Sequence, residues 1–253
     1  MKKANNNFID NELDNYYGDK RLLELLKYNK KGDFKCVYCY EKADTREHIP
    51  SKIFLNEPYS NNLAILPACF NCNNSYSDKE QYLACLIDYL QYKLYNLETV
   101  QRSKIQKTFI SKPHIKDELE KSTIYANDGK LNYIEYNHDK IQAILLKLSI
   151  GHATYSLSRI HLDKPDIINY KFLPELSDEE LHNFNSEVMC DVSPEIGARS
   201  FDNIVITNDG IPIVTWNIVQ DNQYKFLAYE SKTSMNIRIV IGEFLYAEVI
   251  WNN

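Results

Sequence analysis

Long apolar runs and repetitive segments are both missing from this sequence of 253 residues. No stretch of about 18 apolar residues occurs, which argues against a membrane-spanning helix. The first ten residues, MKKANNNFID, lack the apolar core of a secretory signal peptide. Glycine is scarce, with 7 residues, and no collagen-like, proline-rich or repeated segment is present. We therefore expect a globular, cytoplasmic protein with no membrane partner.

Cysteine is the residue type with the most informative spacing. Six cysteines are present, and four of them form two Cys-x-x-Cys pairs. An even number of cysteines permits disulfides, but thiols stay reduced in the cytosol, and a redox dithiol needs only one such pair. Two pairs favour a closed tetrahedral site for a structural Zn²⁺. The predicted ligands are Cys36, Cys39, Cys69 and Cys72. Cys85 and Cys190 have no partner at a useful spacing, and we expect them to be small buried apolar residues.

Between the two pairs lies the run TREHIPS, in which Glu47 and His48 are adjacent. Histidine titrates near neutral pH and suits a general base that activates water. Carboxylate and amide oxygens suit Mg²⁺, so Glu47 and Asn73, which directly follows Cys72, are the predicted ligands of a catalytic ion. Asn62 is placed to orient the imidazole ring. These groups together fit the hydrolysis of a phosphodiester.

Several neighbouring residues compete for these roles or extend them. Asn61 is an alternative to Asn62, and Asn71 and Asn74 are alternatives to Asn73. Asp78 and Glu80 lie close enough in sequence to reach a metal. Basic residues near the predicted site are candidates for contacts with phosphate, foremost Arg46 and Lys52, then Lys35, Lys42, Lys104, Lys107 and Lys112.

The runs CVYC, REHIPS, NNL and CFNCNNS resemble the zinc-stapled HNH endonucleases, the ββα-metal nucleases. The resemblance covers roughly residues 33–85. It implies that His48 is the general base, Glu47 the preceding ligand, Asn62 the central asparagine and Asn73 the last ligand. Glu47 departs from the family pattern, in which aspartate is common before the base.

The resemblance implies a metal-dependent endonuclease that uses Mg²⁺ or another divalent cation. We expect nucleic acid as the substrate, DNA rather than RNA, and products with 5′-phosphate and 3′-hydroxyl ends. By family association, the expected role is genome defence, such as antiviral defence, or mobility of a genetic element. The alternative is a non-catalytic zinc module that binds nucleic acid or protein.

The remaining sequence predicts helices followed by strands. Apolar spacing and capping signals indicate helices at 19–29, 77–95, 138–160 and 177–188, and a basic helix within 98–122 that ends before Pro113. From residue 201 the pattern changes to strands around the tight turn NDG. The predicted fold class is α+β, with a small zinc-stapled ββα-metal unit embedded among helices and a C-terminal antiparallel sheet. We expect a nuclease domain at 1–97 and a second region at 98–253.

Charge is distributed unevenly along the chain. Residues 174–253 contain 4 basic and 13 acidic side chains, whereas the whole chain has a net charge of −6, so residues 1–173 carry a net +3. Nucleic acid is therefore expected to meet the N-terminal part. The acidic region at 174–253 is a candidate surface for a protein partner.

Overall fold

The computed structural model describes residues 35–60, 63–126, 131–160, 163–194 and 198–253. Two predictions lie outside these ranges, the helix at 19–29 and the position of Asn62 with its alternative Asn61.

The described chain combines helices and strands in an α+β arrangement, as the sequence predicts. The helices are α1 (Phe70–Ser75), α2 (Ser77–Leu94), α3 (Ser103–Ser111), α4 (Pro113–Lys121), α5 (His138–Leu157) and α6 (Asp178–Asn185). The strands are β1 (Thr45–Ile49), β2 (Ala64–Ala68), β3 (Thr123–Tyr125), β4 (Leu131–Ile134), β5 (Ile167–Phe172), β6 (Val188–Met189), β7 (Ile204–Ile206), β8 (Pro212–Val214), β9 (Asn217–Gln220), β10 (Tyr224–Glu230), β11 (Ser234–Ile241) and β12 (Leu245–Asn252).

All strand pairs in the described sheets are antiparallel. The largest sheet has five strands in the order β5-β12-β11-β10-β9, and a three-stranded sheet has the order β6-β8-β7. Two hairpins, β1-β2 and β3-β4, stand apart from these sheets. The predicted C-terminal antiparallel sheet is thus confirmed, and β5, from upstream of residue 201, joins it at one edge.

One continuous core connects the helices to the five-stranded sheet. Buried side chains of α2 and α5, such as Leu86 and Leu148, belong to the same cluster as Ile237 and Val249 of the sheet. A smaller cluster consists of Val37, Ile49 and Leu66 and lies under the β1-β2 hairpin. The predicted division at residue 97 therefore runs through a shared core.

Sequence patterns located most helices. Helices α5 and α6 confirm the predictions for 138–160 and 177–188, and Ser177 and Glu180 form the predicted capping box at α6. Helix α2 confirms the prediction for 77–95, but its expected capping box is wrong, because the Glu80 carboxylate binds Ser51 and Lys147 instead of the helix N-terminus. The predicted basic helix that ends before Pro113 is α3, and a second helix that the sequence did not predict, α4, begins at Pro113.

No helix in the described ranges is both long enough and apolar enough to cross a bilayer.

Candidate metal centre and adjoining histidine

The first Cys-x-x-Cys pair lies in a tight turn before β1. The Tyr40 N–H donates to the Cys36 carbonyl at 2.9 Å, and the Cys36 N–H donates to the Glu41 carbonyl at 2.7 Å. Tyr40 has a φ of 64°, a left-handed conformation that completes the turn around the pair. A further hydrogen bond from the Val37 N–H to the Pro67 carbonyl, at 3.1 Å, fixes this turn beside β2.

The second pair begins helix α1. Cys69 is the N-cap residue, and its Sγ accepts a hydrogen bond from the Cys72 N–H at 3.3 Å. This hydrogen bond is the main reason that the pKa of the Cys69 thiol is lowered. The Asp44 carboxylate accepts from the Phe70 N–H at 2.6 Å, which joins the start of α1 to the segment that enters β1.

These turns bring the four predicted zinc ligands together. The Sγ atoms of Cys36, Cys39, Cys69 and Cys72 all lie within 4.8 Å of one another, and Cys39 and Cys69 are 3.6 Å apart. A tetrahedral zinc ion with Zn–S bonds of about 2.3 Å places its sulfurs about 3.8 Å apart, so the thiols fit such an ion. The four cysteines can therefore hold a metal ion such as zinc.

The β1-β2 hairpin extends from this cysteine cluster and carries Glu47 and His48 on opposite faces. Successive side chains of a strand alternate between its two faces. Glu47 and Ile49 are buried, at 4% and 1% exposure, whereas His48 is half-buried and Arg46 is exposed. His48 therefore lies on the more open face with Arg46, and Glu47 points into the protein.

His48 lies in a positively charged environment. Burial of its ring is the main cause of the lowering of its pKa to about 4, and the nearby charges of Lys52 and Arg46 lower it further. The imidazole is consequently neutral at pH 7 and able to accept a proton. The structure thus brings three predicted site residues together: His48, the candidate base, and Arg46 and Lys52, the candidates for phosphate contacts.

Asn73 connects helix α1 to β1. Its side-chain nitrogen donates to Thr45 Oγ1 at 3.2 Å and to the Arg46 carbonyl at 3.1 Å. Its amide oxygen makes no hydrogen bond within the described ranges. The Thr45 side chain shares a face of β1 with Glu47, by strand alternation, so Asn73 reaches the side of the strand to which Glu47 belongs.

Glu47 is part of a buried ionic cluster that the sequence did not predict. Its Oε1 accepts from Lys147 Nζ at 2.9 Å and from Ser51 Oγ at 3.2 Å. Lys147, with a side-chain exposure of 0%, also donates to Glu80 Oε1 at 2.5 Å, and Ser51 Oγ donates to the same oxygen. Burial raises the pKa of Glu47, and Lys147 opposes that effect. Glu47 Oε2 is buried and has no hydrogen-bond partner among the described residues.

Helix α5 presents a stripe of residues to the hairpin. Lys147 binds Glu47, and Gly151, one helical turn later, lies against Ile49. A Cβ atom on Gly151 would be 2.7 Å from Ile49 Cδ1 and 2.8 Å from its Cγ1, so glycine is required for this approach. Tyr155, another turn later, packs against the small cluster that contains Ile49. Every fourth residue of α5 thus contacts the face of β1 that is formed by every second residue of the strand.

The donor atoms of Glu47 and Asn73 are of the oxygen type that Mg²⁺ prefers. Glu47 Oε2 and the Asn73 amide oxygen have no protein hydrogen bond within the described ranges, so both fit a divalent ion. The charge of Glu47, however, is already balanced by Lys147. An ion at Glu47 would have to share that carboxylate with the ammonium group.

The loop that follows His48 is anchored from distant parts of the chain. Arg102 donates to the carbonyls of Ile53 and Leu55, and Lys104 Nζ donates to the Lys52 carbonyl at 2.8 Å. Lys104, one of the predicted phosphate contacts, thereby lies beside the backbone of Lys52. Of the other candidates for such contacts, Lys35 and Lys42 pair across an isolated bridge beside the cysteine cluster, and Lys112 forms an ion pair of 3.6 Å with Asp78.

Comparisons with known proteins identify no relative of this chain. No protein family matches the chain, and no curated protein or solved structure matches it.

Proposed function

We propose that this protein is a metal-dependent endonuclease of the HNH type that hydrolyses phosphodiester bonds in nucleic acid, with DNA favoured. One observation carries the proposal. A strand-strand-helix unit next to a four-cysteine cluster holds a neutral histidine, His48, between Arg46 and Lys52, while Asn73 of the helix is hydrogen-bonded to the same strand. A base flanked by cations suits a phosphodiester substrate.

In this proposal His48 accepts a proton from the water that attacks the phosphorus atom. Arg46 and Lys52 attract the phosphate and hold it near the ring. Cys36, Cys39, Cys69 and Cys72 would hold Zn²⁺, which when bound would fix the hairpin. Glu47 and Asn73 would hold Mg²⁺ or another divalent ion, which when bound supplies positive charge to the leaving oxygen. Asn62, by the resemblance, orients the imidazole.

The test is a cleavage assay with the zinc-loaded protein on single- and double-stranded DNA and RNA. Mg²⁺, Mn²⁺ and Ni²⁺ are supplied separately. His48→Ala should reduce the cleavage rate by about 10²–10⁴-fold, since that is the usual contribution of a general base.

His114→Ala is the matched control, because His114 is exposed on α4 and distant in sequence from the cysteine cluster. It should cleave as the wild type does, and both variants should retain the zinc content and circular dichroism of the parent. Cleavage by His48→Ala at the parent rate would reject the assigned base.

A second candidate function is a zinc-containing module that binds nucleic acid or protein without cutting it. The ion pair between Glu47 and Lys147 favours this candidate, because it engages the carboxylate that the nuclease proposal needs. The same assay separates the two functions. Binding of nucleic acid without cleavage in any of the three ions would support the binding module.

We further propose that the acidic region at 174–253 binds a protein partner and that the protein acts in the cytoplasm, in genome defence. The support is the net charge of −9 in that region and the resemblance described above.

A further inference from the structure

The buried cluster around Lys147 contains more negative than positive charge. Two carboxylates, Glu47 and Glu80, converge on one ammonium group and on Ser51 Oγ. Lys147 is fully buried, and Glu47 and Glu80 are 4% and 9% exposed. With both carboxylates ionised, one negative charge inside the protein has no counter-charge within the cluster. Burial of a charge without a counter-charge is costly.

A second observation indicates that the cluster can accept a ligand. Glu47 Oε2 is buried and accepts no hydrogen bond from the described residues. The Tyr38 hydroxyl is also buried and has no hydrogen-bond partner among the described residues. Carboxylate and hydroxyl oxygens are the ligands of hard divalent cations. A divalent ion between the two carboxylates would make the cluster electrically neutral if the ammonium moved away.

We propose that Glu47, Glu80 and Ser51 form a divalent-cation site and that the Lys147 ammonium occupies it in the ion-free protein as a tethered competitor. This inference deepens the proposed function, because it assigns control of the ion at Glu47 to Lys147. Lys147 is a positioning residue in this scheme, since it acts on the ion through the carboxylates. The ion would displace the ammonium, and removal of the ammonium should strengthen the binding of the ion.

The experiment measures Mn²⁺ binding to the zinc-loaded full-length protein without nucleic acid, by electron paramagnetic resonance of free Mn²⁺. Zinc loading keeps the thiolate site from contributing, since soft sulfur ligands favour zinc over Mn²⁺. Lys147→Met should bind Mn²⁺ at least about tenfold more tightly than the wild type, because a neighbouring like charge is removed. Lys121→Met, on the exposed end of α4, is the matched control and should leave the affinity unchanged.

A second variant keeps the proposal testable if Lys147→Met fails to fold. Glu80→Gln leaves one carboxylate opposite one ammonium, so Mn²⁺ binding should weaken by at least about tenfold relative to the wild type. Glu179→Gln, an exposed carboxylate on α6, is its control. Zinc content and circular dichroism identify the variants that remain folded.

Three outcomes would overturn the proposal. They are a folded Lys147→Met that binds Mn²⁺ no more tightly than the wild type, a folded Glu80→Gln with unchanged affinity, and the absence of Mn²⁺ binding in every variant. A purely structural ion pair predicts the first outcome, with a loss of stability alone. The Mn²⁺ affinities are measured without nucleic acid, so they test the ion site even if the protein has no nuclease activity. The cleavage assay in turn tests the nuclease proposal even if the Mn²⁺ affinities do not change.

Discussion

Two histidines in the described chain have lowered pKa values for different reasons. His48 is half-buried beside two cations and lies at the protein surface. His152 is fully buried, and burial alone lowers its pKa to about 3. Its ring stacks on Phe226 with centroids 3.7 Å apart, and its Nε2 is 2.7 Å from the Tyr224 hydroxyl. These contacts place His152 in the core.

Burial of His152 predicts a loss of stability in acid. Its pKa is about 3 in the folded protein and about 6.5 when unfolded, so between these values the unfolded chain binds more protons. Stability should therefore fall as the pH decreases from about 6.5 toward 3. Between pH 6.5 and pH 5 this residue should account for about 2 kcal/mol of the unfolding free energy.

Urea unfolding of His152→Gln at several pH values measures this effect. The variant should be less stable than the wild type at pH 7, but its stability should depend less steeply on pH below 6.5. His182→Gln, an exposed histidine of α6, should keep the wild-type slope. Equal slopes for the wild type and His152→Gln would show that His152 does not titrate differently on unfolding.

At the scale of elements, the β1-β2 hairpin depends on its contact with α5. Lys147 and Gly151 contact Glu47 and Ile49, so one face of the helix matches one face of the strand. This contact fixes the strand that carries His48 to the main helical core. A change in the separation of α5 and β1 should therefore move the candidate base relative to the helical core.

Gly151→Ala should destabilise the protein by about 1–3 kcal/mol, because the added Cβ overlaps with Ile49 in a packed interface. In an Ile49→Ala background the overlap disappears, and the same substitution should stabilise by up to about 1 kcal/mol through the higher helix propensity of alanine. Denaturant unfolding of the four proteins of this double-mutant cycle measures both effects. A destabilisation that persists in the Ile49→Ala background would mean that Gly151 is required for another reason.

Local sequence patterns predicted where helices begin, whereas no local pattern predicted the contacts between distant elements. The capping box of Ser177 and Glu180 predicted the start of α6, because the two residues interact across one helical turn. The same pattern at Ser77 and Glu80 failed, because Lys147 lies 67 residues from Glu80 and competes for its carboxylate. The cysteine spacing predicted the metal cluster. The engagement of Glu47 by Lys147, 100 residues away, has no local signal.

For the molecule as a whole, the C-terminal sheet supports the region around the candidate site. Gln223, directly before β10, donates to the Phe54 carbonyl at 2.8 Å and accepts from Asn56 Nδ2 at 3.1 Å. Gln220 exchanges two hydrogen bonds with the backbone of Asn56. The loop after His48 is therefore fixed by residues more than 160 positions away. The acidic sheet has a structural role in addition to any partner that it binds.

Removal of residues 174–253, which contain four of the five strands of this sheet, should unfold the rest of the chain. A fragment of residues 1–173 would lose many core side chains, and each buried one of this size contributes about 1.5–3 kcal/mol, whereas a whole domain is stable by only about 5–15 kcal/mol. We expect the fragment to aggregate or to melt without cooperativity, as measured by circular dichroism and calorimetry. Cooperative melting of a soluble, zinc-containing fragment would instead establish an independent N-terminal domain. The lost residues include Phe226, Ile237, Ile239, Phe244, Leu245 and Val249, which all belong to the core shared with α2 and α5.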